Sequence, residues 1–286
     1  MSLSIFTSGS AMSSLNALNK SNSMLSTAME RLGTGKRINS AADDAAGMQI
    51  ASRLQGQSNG MAVAQRNISD ATAMLQTAEG AFDEVSNIMY RMKDLATQSA
   101  NDTNSEDDRK AINAELGELD KELSNIMTNT SFGGDKLFGT NGKLSDDMNF
   151  QIGASTGEGM TVNLSTQLTA VTGANGMGGI TTAITALDTT PDAGSAQALM
   201  TSLEDGLKAV GEMRSGLGAN INRLGHTAAN LANMKDNTEL ALGNIQDADF
   251  ASEASSMTRN QMLAQTSMSM LKQSNSMSGM VMSLLG

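Results

Sequence analysis

Cysteine and tryptophan are absent from the 286 residues, and proline, histidine and tyrosine each occur once. Without cysteine the chain has no disulfides and no thiolate metal sites. His226 stands alone, so a multi-histidine metal cluster is excluded; in a helical stretch it reads as a solvent-facing residue. Aromatics make up only 2% of the chain. Large rings dominate burial in compact cores, so a core of Ala, Leu, Ile and Met predicts thin helix-on-helix packing. Basic residues are scarce as well, 19 against 30 acidic, for a net charge of -11. That balance argues against a phosphate-tracking surface, and no nucleic-acid partner is expected. No stretch approaches the roughly 20 apolar residues of a membrane helix, so no membrane insertion is expected. Met1 to Ser10 lacks the basic start and apolar run of a secretory signal, and export would need another route.

What the chain has is apolar residues at alternating spacings of three and four. Leu15, Leu18, Asn22, Leu25, Met29 and Leu32 follow this rule near one end. Phe250, Ala254, Met257, Gln261, Ala264, Met268 and Leu271 follow it near the other, with Met282 and Leu285 in register beyond. Such spacing averages 3.5 residues and keeps one narrow stripe facing a partner helix, as in a coiled coil. The polar members Asn22, Gln261 and Asn275 read as register-setting positions. Met61, Ala64, Ile68, Ala71, Leu75, Ala78, Phe82, Val85, Met89, Met92 and Ala96 continue the pattern and predict one helix of about 40 residues. Ser105 and Asp108 have capping-box spacing at the start of a further helix carrying Ile112, Leu116, Leu119, Leu123 and Ile126. Another long helix is expected from about Ala196 to Asn244, with Leu203, Leu207, Val210, Leu217, Ile221, Leu224, Ala228 and Leu231 on its stripe. Gly216 and Gly218 predict a local irregularity within it.

Between these helices the period falls to two. Met148, Phe150 and Ile152, then Met160, Val162 and Leu164, alternate with polar neighbours on either side of a Gly-rich segment and predict a hairpin with one buried face. Thr172 to Ser195, rich in Gly, Thr and Ala and holding Pro191, reads as a surface excursion. Candidate chemistry is sparse. Asp43 and Asp44 could form an acid pair, but Ser40 with Asp43 has capping-box spacing and reads as a helix start. Gly173, Gly176, Gly178 and Gly179 do not open a helix after a strand as a dinucleotide loop does. Glu106, Asp107 and Asp108 read as a solvated first turn. The 23 methionines suit adaptable helix packing. No catalytic, cofactor or metal site is predicted. The expected fold is mainly α, with long antiparallel helices forming coiled-coil or helical-bundle domains and a small β-hairpin region.

Several runs then make a specific match. Leu18-Asn19-Lys20-Ser21-Asn22, Glu30-Arg31-Leu32 and Arg37-Ile38-Asn39-Ser40-Ala41-Ala42-Asp43-Asp44-Ala45-Ala46-Gly47 are followed by Gln76-Thr77-Ala78-Glu79-Gly80-Ala81 and Leu95-Ala96-Thr97-Gln98-Ser99-Ala100-Asn101. Arg214-Ser215-Gly216-Leu217-Gly218-Ala219, Asn222-Arg223-Leu224, Ile245-Gln246-Asp247-Ala248-Asp249-Phe250 and Ser283-Leu284-Leu285 complete the set. In this order, across both ends, the chain resembles the bacterial flagellins. With so little between the ends, it is similar to a short, lateral-type member lacking large central outer domains.

The resemblance implies a filament subunit that self-assembles through its terminal helices for motility. Residues 1–56 and 243–286 would form an inner coiled-coil domain, 57–175 and 193–242 a helical rod with β-hairpins, and 176–192 a vestigial central excursion. The polymerisation seam would be Leu15, Leu18, Asn22, Leu25, Met29 and Leu32 with Met257, Gln261, Ala264, Met268 and Leu271. Implied partners are further copies in a helical filament, a flagellar export chaperone, the filament cap and the hook-filament junction proteins, with type III secretion to the extracellular flagellum. Arg91, Leu95 and Glu115 stand where flagellins present their patch to the vertebrate Toll-like receptor that senses them. The alternatives are a hook-filament junction protein with flagellin-like ends, a metallopeptidase of the kind some flagellins carry, for which no His-Glu-x-x-His sequence is present, and a freestanding coiled-coil module.

Overall fold

The computed structural model describes residues 9–139 and 141–285, without the side chains at 278, 279 and 281–285. Most of Met1 to Ser10, the stripe positions Met282 and Leu285, and the side chains of Ser283-Leu284-Leu285 lie outside that description. Seven α-helices appear among the described residues: α1 (Gly9–Thr34), α2 (Ala45–Ser99), α3 (Glu106–Asn129), α4 (Ser165–Thr172), α5 (Met177–Thr189), α6 (Ala193–Gln246) and α7 (Phe250–Leu285). Four short strands, β1 (Ser131–Phe132), β2 (Asp135–Lys136), β3 (Met148–Gln151) and β4 (Gly159–Val162), make two antiparallel pairs. The chain divides into one compact unit of residues 1–57 and 236–286 and a second of residues 58–235.

The second unit holds a closed core. Every α2 stripe position from Met61 to Ala96 is 3% exposed or less, because α3, α5, α6 and the strand pairs contribute apolar side chains to the same cluster. Leu116 and Leu123 of α3, and Leu203, Val210, Leu217 and Leu224 of α6, are fully buried against it. The few rings in the chain are concentrated here: Phe82 and Phe138 pack at a centroid distance of 4.8 Å, tilted by 57°. Arg214 of α6 adds a surface clamp to α2, reaching Glu79 at 2.8 Å and Asp83 at 2.9 Å.

Four expectations need correction. First, α2 runs for 55 residues and is capped later than the Ser40–Asp43 spacing suggested. Asp43 Oδ2 accepts from Asn39 N, Ser40 N and Ser40 Oγ and closes a turn before the helix. Asp44 is the residue that caps α2, its Oδ1 accepting from Gly47 N at 2.9 Å. Second, residues 176–192 are no surface excursion. They contain α5, whose Ile180, Ile184 and Leu187 lie on one helical face and are buried in the core. The glycine and threonine content hid that spacing. Thr181 Oγ1 donates to Asp120 Oδ1 at 3.0 Å and Asn113 Nδ2 to Asp188 Oδ1 at 3.3 Å, holding α5 on α3.

Third, α6 continues through Gly216 and Gly218 without interruption. A Cβ on Gly216 would sit 3.0 Å from Leu164 Cδ2, so that glycine lets Leu164 approach the helix. Fourth, a second, smaller hairpin accompanies the expected β3–β4 pair. Gly133 and Gly134, at φ +62° and +95°, link β1 to β2 in the doubly left-handed form that matches strand twist.

The capping box at α3 is present as read from the sequence. Ser105 N and Ser105 Oγ donate to Asp108 Oδ2 at 3.0 and 2.7 Å, and Asp108 N donates to Ser105 Oγ at 3.2 Å. The Ser105 hydroxyl, followed by its backbone N–H, holds the Asp108 carboxyl below its ordinary value of 3.8. A carboxylate depressed on folding stabilises the native state above its unfolded pKa, and that contribution is lost as pH falls through the folded one. Hydrogen-exchange protection at Ser105 N should therefore hold above pH 3.8 and decline below it. In Ser105→Ala the Asp108 carboxyl, followed by NMR titration, should move back up toward that value.

Candidate assembly interface

The first unit is built on one antiparallel pair, α1 with α7. Arg31 Nη1 bonds Glu253 Oε1 at 2.9 Å near one end, and the Ser10 and Ser274 hydroxyls meet at 3.0 Å near the other. Beyond the Arg31 end, Gly35 at φ +72° ends α1 and turns the chain. Residues 35–37 then run against 245–248: Arg37 N donates to Gln246 O at 2.7 Å, Ala248 N to Gly35 O at 3.0 Å, and Arg37 Nη2 to Ile245 O at 2.9 Å. Two sequence motifs more than 200 residues apart are thus joined by their backbones, and Ile38 beside them is buried.

Burial along the pair shows which residues face the partner helix. On α1 the inward positions are Ala11, Ser14, Leu18, Ser21, Leu25, Ala28 and Leu32; on α7 they are Met257, Asn260, Ala264, Ser267, Leu271 and Ser274. Both sets keep the three-four alternation. The register fixed by the two end contacts brings Leu18 within one residue of Ser267, Leu25 of Asn260 and Ala28 of Met257, so large side chains face small or polar ones.

Half of the stripe read from the sequence is therefore displaced. Leu18, Leu25, Leu32, Met257, Ala264 and Leu271 do face inward, at least partly buried. Leu15, Met29 and Met268 are 46%, 52% and 47% exposed, and Phe250 is 68% exposed. Asn22, Gln261 and Asn275 are exposed too, so they cannot set the register of α1 against α7. The buried polar residues of this pair are Ser21 and Asn260.

The outward surface of this unit is unusually apolar. Among the described residues sixteen large apolar side chains are exposed. Thirteen belong here: Met12, Leu15, Met24 and Met29 on α1, Ile50 on α2, Leu240 on α6, and Phe250, Met262, Leu263, Met268, Met270, Met277 and Met280 on α7. Only Val63, Tyr90 and Met234 lie in the second unit. Exposed large apolar side chains gathered in one unit in this way point to an interaction surface.

Arg91 and Glu115 are brought together as an exposed ion pair between α2 and α3, Nη2 to Oε1 at 2.8 Å. Leu95 is not part of that surface: it is 3% exposed and belongs to the core beside Met92 and Ala96. His226 is exposed on α6, as expected. Among the described residues no group of three or more His, Cys, Asp or Glu side chains is placed to hold a metal ion.

With Arg31 and Glu253 only 28% and 16% exposed, their pair tethers the two helices more firmly than a surface contact. Arg31→Glu or Glu253→Arg alone should cost the pairing about 1–3 kcal/mol, and the double exchange should restore most of it. Hydrogen exchange along α1 and α7 in the assembled state reads the difference.

Known proteins give this arrangement a context. Residues 5–143 match the family model of the bacterial flagellin N-terminal helical region, and residues 200–285 that of the bacterial flagellin C-terminal helical region. The chain is 41% identical over 259 residues to a flagellin of Halalkalibacterium halodurans, with 90% of each chain covered. It is 34% identical over 387 residues to polar flagellin C of Vibrio parahaemolyticus, with 100% of each covered. A solved flagellar hook-associated protein from Vibrio parahaemolyticus shares the fold at a TM-score of 0.62 and 19% identity, over 72% of this chain and 100% of that one.

Proposed function

Since the chain belongs to the bacterial flagellin family and is a structural subunit of the flagellar filament, we propose that α1 and α7 polymerise it. The observation that carries this reading is the gathering of thirteen of sixteen exposed large apolar side chains in the unit those helices build. Full burial of one such side chain contributes about 1.5–3 kcal/mol. Covering several of them stabilises the ordered helix pair on assembly. The polymerisation seam has two sides in this account. Leu18, Leu25, Leu32, Met257, Ala264 and Leu271 join α1 to α7 within a subunit, while Leu15, Met29 and Met268, flanked by Asn22 and Gln261, face neighbouring copies.

Identical contacts that do not close on themselves extend into a helix rather than a ring, so the interface is heterologous. In this account the terminal pair is the domain through which subunits join and residues 58–235 form a separate helical rod. In the free subunit α1 and α7 lack the surface that makes an amphipathic helix stable, so they are disordered until neighbours supply it. Disordered ends also suit export through a narrow channel to the outside of the cell, with an export chaperone, a filament cap and hook-filament junction proteins as partners. The subunit carries out no catalysis. The junction-protein alternative is not favoured by relatives that are themselves flagellins.

Circular dichroism of monomer and filament tests the coupling. Helix content should rise on assembly by about the length of α1 plus α7, 26 and 36 residues; equal content in both states would overturn it. For the vertebrate Toll-like receptor, Arg91 and Glu115 are the candidate surface and Leu95, being buried, is withdrawn from it. Arg91→Ala should weaken receptor signalling by about tenfold, the equivalent of one charge-assisted contact. Undiminished signalling would remove Arg91 from the patch.

A further inference from the structure

Methionine occupies opposite environments in the two units. Within residues 58–235, Met61, Met89, Met92, Met160 and Met213 are each 2% exposed or less. On the terminal pair, Met12, Met24 and Met29 of α1 and Met262, Met268 and Met270 of α7 are 47–60% exposed. Thioether oxidation follows access. An oxidant meeting a free subunit therefore reaches the terminal helices and spares the core of the second unit.

We propose that these six methionines form a reversible oxidation site that decides whether a free subunit joins the filament, the oxidant being a hydroperoxide. The inference rests on the assignment of this face to polymerisation. In the reaction the methionine sulfur attacks the outer oxygen of the peroxide. A sulfur–oxygen bond forms as the oxygen–oxygen bond breaks, sulfur gives up two electrons, and hydrogen peroxide leaves as water. The product is a polar, chiral sulfoxide in place of a flexible apolar side chain. It adds a strong acceptor with no donor opposite it, and a buried polar group without a partner is costly.

The six positions lie outside the inward stripe of Ala, Ser and Leu that joins α1 to α7. Once the ends have ordered, the sulfoxides lie on the surface offered to the next subunit and not at the α1–α7 contact. Once neighbours cover that surface the same sulfurs are shielded, so assembled subunits persist at peroxide doses that disable free ones.

The test uses the full chain, hydrogen peroxide and preformed filament seeds. Free protein is oxidised, its sulfoxides are mapped by mass spectrometry, and its elongation of the seeds is timed. The six positions should oxidise before the buried methionines, elongation should slow by about tenfold or more, and methionine sulfoxide reductases for both epimers should restore it. Filaments given the same dose should retain unoxidised sulfur at these positions. Unchanged elongation by protein carrying the six sulfoxides would overturn the proposal, as would a loss that the reductases do not reverse. A variant with these six and the equally exposed Met277 and Met280 replaced by Leu should elongate at a rate indifferent to peroxide; if that variant does not assemble, the reductase arm on the unaltered chain decides. Leu15→Glu and Phe250→Glu leave every methionine in place and test the polymerisation face itself. If they slow elongation and oxidation does not, only the oxidation proposal fails.

Discussion

A pair of helices can hide only one narrow stripe of each partner, and the terminal unit is governed by that limit. α1 and α7 each carry two overlapping three-four patterns that share Leu18, Leu25 and Leu32 on one helix and Met257, Ala264 and Leu271 on the other. Facing each other, the helices bury the pattern completed by Ala, Ser and Asn. The pattern completed by Leu15, Met29 and Met268 is left outside. Small residues let two backbones approach closely and give each facing leucine a recess, which favours that choice of faces. The result is a unit that is specified in register but whose apolar surface exceeds what one partner helix can cover.

The second unit shows what happens when the limit is lifted. There α2 is surrounded by α3, α5, α6 and the hairpins, and its whole stripe from Met61 to Ala96 disappears from solvent. With only Phe82 and Phe138 as an aromatic contact, closure comes from the number of elements around α2 rather than from bulky rings. The same residue types, Leu, Met and Ala, thus make a finished core in one unit and an unfinished surface in the other.

Much of this was legible in the spacing of apolar residues, because a stripe surrounded by several elements has only one way to face. Hence α2, α3 and α6 carried their core positions in plain view, as did the alternation of β3 and β4. The terminal helices were ambiguous in phase. Leu18 belongs equally to Leu15-Leu18-Asn22 and to Ser14-Leu18-Ser21, and hydrophobicity selects the first while close packing selects the second. Leu95 misled for a related reason. Four residues from Arg91 is a rotation of about 40°, and the edge of the buried stripe falls between them, so the longer arginine reaches solvent at Glu115 while Leu95 does not. α5 was obscured by glycines and threonines around Ile180, Ile184 and Leu187, and β1 and β2 are two residues each, too short for alternation to register.

The choice of small residues for the inward face ties order to assembly. A seam in which Ser, Ala and Asn alternate with the shared Leu and Met positions buries less apolar area per turn than an all-Leu seam, so two helices held only by it gain little stability beyond their end contacts. A seam of Leu and Met would be more stable alone, but it would withdraw those side chains from the outside. Fixing the register with an ion pair, a hydroxyl contact and a short backbone pairing at residues 35–37 and 245–248 requires little apolar area. The large side chains are thereby released for neighbours. On the proposed reading, the energy that would have folded the terminal unit by itself is released only when another subunit arrives, and filament growth and terminal folding would be one event.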